Sequence, residues 1–154
     1  MGRFWIQIVL VMLTPNVLET GQELGPSRWL EVTQERINAF ADATEDHQSI
    51  HVDPELAAQG PFGTTVAHGY LTLSLLIPLW NDVYQHDGIG INYGLNRLRF
   101  PAPVPSGSRV RARFRVEALD EVPSGVQATI AATVECEGQE KPVCVAELLL
   151  RLLS

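Results

Sequence analysis

From about Val66 to Val83 the chain carries an apolar run with almost no polar side. Val66, Ala67, Leu71, Leu73, Leu75, Leu76, Ile77, Leu79 and Trp80 fall all round the axis of a helix. A helix without a polar face must be enclosed by other elements, because it has nothing to offer water. Pro78 lies late in the run and is expected to kink the helix or to mark its last full turn.

The enclosure is readable downstream. After Gly88 the pattern changes to strands, over Ile89 to Phe100, Ser108 to Leu119, Val126 to Cys136 and Pro142 to Leu153. The second alternates cleanly, with Val110, Ala112, Phe114 and Val116 on one face and Arg109, Arg111, Arg113 and Arg115 on the other. Pro101 to Gly107 reads as a rigid loop, and Pro123-Ser124-Gly125 and Glu137-Gly138-Gln139 as turns.

Upstream, Thr20 to Ser27 is turn-like and Trp29 to Thr33 is a short strand. Thr33 then caps a helix that carries Ile37, Phe40 and Ala41 on one face and ends near Thr44. Asp53-Pro54 starts a further short helix, broken at Gly60 to Gly63, and Thr64 or Thr65 is expected to cap the apolar helix. The sum is an α+β class protein, a strongly curved antiparallel sheet wrapped around one long apolar helix. Such a sheet leaves an edge open, and pairing edges between two copies closes it, so a homodimer is expected.

Composition narrows the function. The 154 residues, 45% hydrophobic and 19% charged, suit one globular domain over 1–154. A net charge of -7 disfavours nonspecific binding to nucleic acid or to anionic membranes. Phe4 to Leu13 follows Arg3 and is as apolar as the core of a signal peptide, but no small-x-small site follows it. It is also shorter than the ~20 residues of a spanning helix. We read it as an element packed on the domain or on a partner subunit, within a cytoplasmic protein. Cys136 and Cys144 lie on neighbouring strands, where a disulfide is conceivable; without metal-type spacing, buried free thiols are the better reading.

The polar residues that carry chemistry stand just before the apolar helix. Asp46 and His51 are five apart, with His47, Gln48 and Ser49 between them. A carboxylate and an imidazole held together can share a water and move its proton; the bland alternative is a turn-capping aspartate and a satisfied loop histidine. Ala67-His68-Gly69 opens the helix, where free backbone N–H groups can face a developing negative charge. Gly69 suits close packing equally well, and His68 is expected to bond backbone rather than to react. The arginine face, with Arg97 and Arg99, is either solvated or a phosphate-binding surface. His47, His86, Trp80 and Tyr84 read as structural or surface residues. No metal-ligand spacing, phosphate loop or nucleophile elbow occurs in the sequence.

These segments together resemble the signature of the MaoC-like, (R)-specific enoyl-CoA hydratases. The match runs through Phe40, Asp46, Ile50, His51 and Ala57, then Ala67-His68-Gly69. Tyr93-Gly94-Leu95-Asn96, Arg99 to Pro105 and Gly107-Ser108-Arg109-Val110 are similar to the branch that includes nodulation protein N-like dehydratases. The likeness spans about residues 20 to 153. Where the family often has Gly before the aspartate and Asn-Pro after it, this chain has Glu45, Gln48 and Ser49.

The resemblance implies a hot-dog fold and a lyase that needs no cofactor or metal. It hydrates a 2-enoyl-CoA, or an acyl-carrier thioester, or runs the reverse dehydration. Asp46 and His51 would hold the water, and Gly69 N–H would bind the thioester oxygen. Gln48, Ser74, Asn96 and Arg99 are the candidate substrate contacts, Ser74 as a hydroxyl near the site and Asn96 in the tunnel wall. Two rivals share the fold: a thioesterase, which places its carboxylate on the central helix, and a non-catalytic acyl-thioester-binding module. Val66 to Trp80 holds no Asp or Glu, which counts against the first.

Overall fold

The computed structural model describes residues 17–154, so the apolar segment Phe4 to Leu13 lies outside the described residues. Six strands among those residues form one antiparallel sheet. Its spatial order is β1 (Glu23–Leu24), β4 (Ser108–Val122), β5 (Gly125–Cys136), β6 (Cys144–Leu153) and β3 (Ile89–Arg99). β2 (Leu30–Val32) also pairs β4, so β1 and β2 share its outer edge. β1 is a strand that the turn-like composition of Thr20 to Ser27 hid.

The alternation read in β4 holds. Val110, Ala112, Phe114 and Val116 are buried, and the arginines face outward. Each of the four meets a carboxylate: Arg109 pairs with Glu137, Arg111 and Arg113 share Glu135, and Arg115 reaches Glu23 and Glu117. The row is therefore a charge-balanced outer face. β5 and β6 bury every second residue against the same core. Cys136 and Cys144 are buried free thiols within it.

Among the described residues, five short helices lie in chain order before β3: α1 (Gln34–Thr44), α2 (Ser49–Val52), α3 (Pro54–Ala58), α4 (Gly69–Ser74) and α5 (Leu76–Asn81). The last two make up the apolar central helix. It starts at Gly69 rather than Val66, and neither Thr64 nor Thr65 caps it: His68 holds the cap position, and the Thr65 hydroxyl donates to Gln34 instead. It is split at Leu75 because Pro78 has no N–H for the carbonyl of Ser74. The Leu75 and Leu79 N–H groups still donate to Leu71 and Leu75 carbonyls, at 3.0 and 3.2 Å, so the two halves run on.

Leu71, Leu75, Leu76, Leu79 and Trp80 press inward, and the Trp80 ring meets Phe114 edge-on at 5.1 Å. Burying each large side chain of this kind contributes ~1.5–3 kcal/mol. The helix is covered on most sides and one side stays open: Tyr70 is 70% exposed, and Ser74 is exposed with it.

Candidate active site

Helix α1 sets where the site begins. Thr33 caps it by accepting from the Arg36 N–H at 3.1 Å. It ends where Glu45 turns left-handed, at φ 61 and ψ 20, and delivers Asp46 into a loop. Asp46 is exposed, and its Oδ1 accepts from the Gln48 backbone N–H at 3.4 Å. The Gln48 carbonyl also accepts from the His51 N–H at 2.9 Å, but no side-chain bond of Gln48 reaches the site among the described residues.

His51 sits in α2, only 7% exposed. Its Nδ1 lies 2.7 Å from the carbonyl oxygen of Val66. A carbonyl can only accept, so Nδ1 carries the proton, and in the neutral ring Nε2 is left with a lone pair. His68 is oriented by the same logic. Its Nε2 donates to the backbone carbonyl of Asp46 at 2.9 Å, and its buried Nδ1 has no hydrogen-bond partner. The expectation that His68 bonds backbone therefore holds. Its ring also stacks on His51, with centroids 3.8 Å apart and planes 26° from parallel, while Phe40 packs at 4.9 Å.

An Asp46 carboxylate oxygen, a His51 nitrogen and a His68 nitrogen lie within 4.8 Å of one another. Polar atoms that share one water, each at ~2.8 Å from its oxygen, stand about 4–5 Å apart, so the spacing fits a single held water. The same three residue types can ligate a metal.

Gly69 is the first residue of α4, where a helical N–H has no partner within the helix. Its Cα is covered by an aromatic ring: a Cβ placed there would lie 2.9 Å from Cδ2 and Cε2 of Phe100. Close packing against Phe100 favours glycine here, while the free N–H follows from the position at the helix start. His51 and Gly69 open onto one cavity of about 340 Å³, walled by Phe62, Thr72, Phe100 and Val143 among others.

The remaining predicted contacts lie elsewhere on the chain. The Ser74 hydroxyl donates to the Tyr70 carbonyl at 2.7 Å and lines a separate groove of about 370 Å³ with Leu73, Ile77 and Leu148. Asn96 donates to Glu147 at 2.6 Å on the exposed strand β3. Arg99 donates to the neighbouring Leu98 carbonyl at 2.7 Å and lines an outer hollow with Arg97 and Glu117. The fold clusters Asp46 with His51 and sets His51 and Gly69 on one cavity. It does not bring Ser74, Asn96 or Arg99 into that cavity.

Of the residues read as structural, Trp80 and Tyr84 stack in the core at 5.2 Å, and His86 bonds the Leu153 carbonyl at 3.0 Å. His47 is exposed beside Asp42, whose hydrogen bond raises its pKa. Two residues the sequence did not flag for the site, Gln34 and Thr65, bond to each other next to His51. They are 31 positions apart, and no local pattern joins them.

Among the described residues, no helix is long and apolar enough to cross a membrane. Residues 15–139 match the family model described as MaoC like domain. The 3-hydroxyacyl-thioester dehydratase Z of Mycobacterium tuberculosis is 56% identical over 137 residues, covering 87% of this chain and 91% of that protein. Nodulation protein N of Rhizobium leguminosarum bv. viciae is 49% identical over 131 residues, 82% of this chain and 81% of that one. The solved (R)-hydratase from A. caviae superposes with a TM-score of 0.74 at 30% identity, covering 88% of this chain and 97% of its own. With a dehydratase sharing more than half of the aligned residues and an (R)-hydratase sharing the architecture, the chain belongs to the MaoC-like dehydratase family, hydro-lyases built on the hot-dog fold.

Proposed function

We propose that this protein adds water across the C2=C3 bond of 2-enoyl thioesters, giving (R)-3-hydroxyacyl thioesters, and catalyses the reverse dehydration. The observation that supports the reading is the His51 ring: Nδ1 is committed to Val66, which leaves the Nε2 lone pair unbonded, and the ring lies in one cluster with the Asp46 carboxylate. The pair holds a water. The water oxygen bonds to C3 as its proton passes to the pair, and the pair returns a proton to C2. The two groups act as one coupled unit. The Gly69 N–H donates to the thioester oxygen, where the electrons of the double bond collect before C2 is protonated. Oxygen and both protons of the water are accounted for, so the step calls for no further reactant.

We read the substrate as a thioester of coenzyme A or of an acyl carrier, and the protein as cytoplasmic, where buried free thiols such as Cys136 and Cys144 persist. We also read the working form as a homodimer. β3 ends the sheet and exposes Ile89 by 66%, Ile91 by 41%, Tyr93 by 53% and Leu95 by 41%, an apolar open edge that a second copy would cover.

The test follows loss of enoyl-thioester ultraviolet absorbance with crotonyl-CoA. Wild type should consume it steadily, and Asp46→Asn and His51→Ala should each lose at least ~100-fold in kcat. A wild type inert on crotonyl-CoA and on longer enoyl-CoAs removes the hydratase reading. Mutants as active as wild type remove the site.

A further inference from the structure

We propose that Gln34 is a positioning residue for His51, acting through a closed ring of hydrogen bonds that it completes with Thr65. The proposal rests on the reading of His51 as half of the reacting pair.

Gln34 is the first residue of α1, and its amide is fully used. Nε2 donates to the His51 carbonyl at 2.7 Å and to Asn38 Oδ1 at 2.8 Å, while Oε1 accepts from the Thr65 hydroxyl at 2.5 Å. The amide cannot be turned over, because that would set its oxygen against the His51 carbonyl, which only accepts. From Thr65 the chain passes directly to Val66, whose carbonyl holds His51 Nδ1. The circuit therefore runs from Gln34 to the His51 backbone, through the imidazole to Val66, along one peptide to Thr65 and back to Gln34.

Each arc of the circuit is anchored. The Val66 N–H donates to the Ile50 carbonyl at 2.9 Å, tying the Thr65–Ala67 strap to α2. On its other side the strap meets the proline-rich loop: Ala67 N–H donates to Val104 O at 2.8 Å and Ser106 N–H to Thr65 O at 2.9 Å. Thr65 is 3% exposed, so its hydroxyl has no ready exchange with water. Three separate segments, 34, 51 and 65–66, are thereby held at fixed distances around one ring nitrogen. Cutting the Gln34 arc removes the one side-chain tie on the His51 carbonyl, leaving the Val66–Ile50 bond, the Nδ1 contact and the His68 stack to hold the ring. Displacing a reacting group by about 1 Å can cost 100-fold in rate.

The experiment uses the full chain, crotonyl-CoA turnover and nitrogen-15 spectra of the His51 imidazole. Gln34→Leu and Thr65→Val should each lower kcat by ~10–100-fold with KM within about twofold. The double variant should be no worse than either single one, since both cut the same ring. Thr65→Ser, which keeps the hydroxyl, should stay near wild type. In the spectra the His51 Nδ1–H should be slowly exchanging in wild type and Thr65→Ser, and rapidly exchanging in Gln34→Leu. Wild-type kcat per folded molecule in Gln34→Leu and Thr65→Val overturns the proposal, as does a Thr65→Ser variant as slow as Thr65→Val. The spectroscopic arm does not depend on turnover. Lost Nδ1–H protection in Gln34→Leu, beside a wild type inert on every enoyl-CoA, leaves the bracket standing and removes the hydratase reading. Unchanged protection beside a lowered kcat removes the bracket and leaves the hydratase reading.

Discussion

Glu45 stands where the resembled family often has glycine, and the backbone gives the reason. Its φ of 61 is left-handed, a region that costs a residue with a Cβ ~1–2 kcal/mol and glycine nothing. Glu45→Gly should raise stability by up to ~1 kcal/mol, the relieved strain being offset in part by the freer unfolded chain. Glu45→Ala should change little. Urea denaturation of the two variants checks this, and a less stable Glu45→Gly would show the turn to be unstrained. Gly69 is the converse case. In Gly69→Ala the added methyl meets the Phe100 ring, and overpacking of this kind costs ~1–3 kcal/mol. Because Phe100 is 39% exposed and can give way, a loss toward the low end is expected, and Phe100→Ala in the same chain should recover most of it.

At the scale of elements, α1 supports the site from both ends: Gln34 at its start, Glu45 and Asp46 after its finish. Its cap is a single hydroxyl. Thr33→Ala removes the bond to the Arg36 N–H and should cost ~1 kcal/mol in thermal unfolding. The β4–β5 ladder gives a pH dependence. Partial burial alone would raise the Glu135 pKa, but hydrogen bonds from Arg111 and Arg113 outweigh it and hold the group below its ordinary 4.5. A carboxylate with a lowered folded pKa contributes stability that is present above its unfolded pKa and lost as pH falls through the folded one. Glu135→Gln should therefore flatten the acid side of the stability curve below about pH 4.5 and leave its slope near pH 7 unchanged. Equal slopes for both proteins in acid would remove that role.

At the scale of the molecule, the exposed edge and the buried thiols make opposite predictions about access. Ile91→Lys with Leu95→Lys should turn a dimer into a monomer in light scattering, and a wild type already monomeric at micromolar concentration would remove the edge-pairing model. Cys144 is fully buried and its thiol is pushed up to about 11; burial raises Cys136 as well. Since the thiolate is the reactive form, neither should react with a disulfide reagent at pH 8 until the protein is unfolded. For Cys144 the sign is that of a raised acid: its contribution to stability is whole below about pH 9 and is lost as pH rises toward about 11.

Local chemistry made much of this legible in the chain. The period of two in Ser108 to Val122, the Thr33 and Asp53 caps and the Pro78 interruption all act within a few residues, so sequence alone determined the long strands, the starts of α1 and α3 and the break in the central helix, though not that helix's start at Gly69. Of the three residues the sequence singled out, His51 and Gly69 line one cavity and Asp46 stands beside His51. Three things needed the tertiary structure. The strand at Glu23–Leu24 exists only because β4 offers it a partner. The arginine face is neutral because its glutamates come from β1, β4, and the β5 strand and the turn after it. The tautomer of His51 is fixed by a carbonyl 15 residues away and its backbone by an amide 17 residues away, contacts that chain packing creates and no spacing in the sequence encodes.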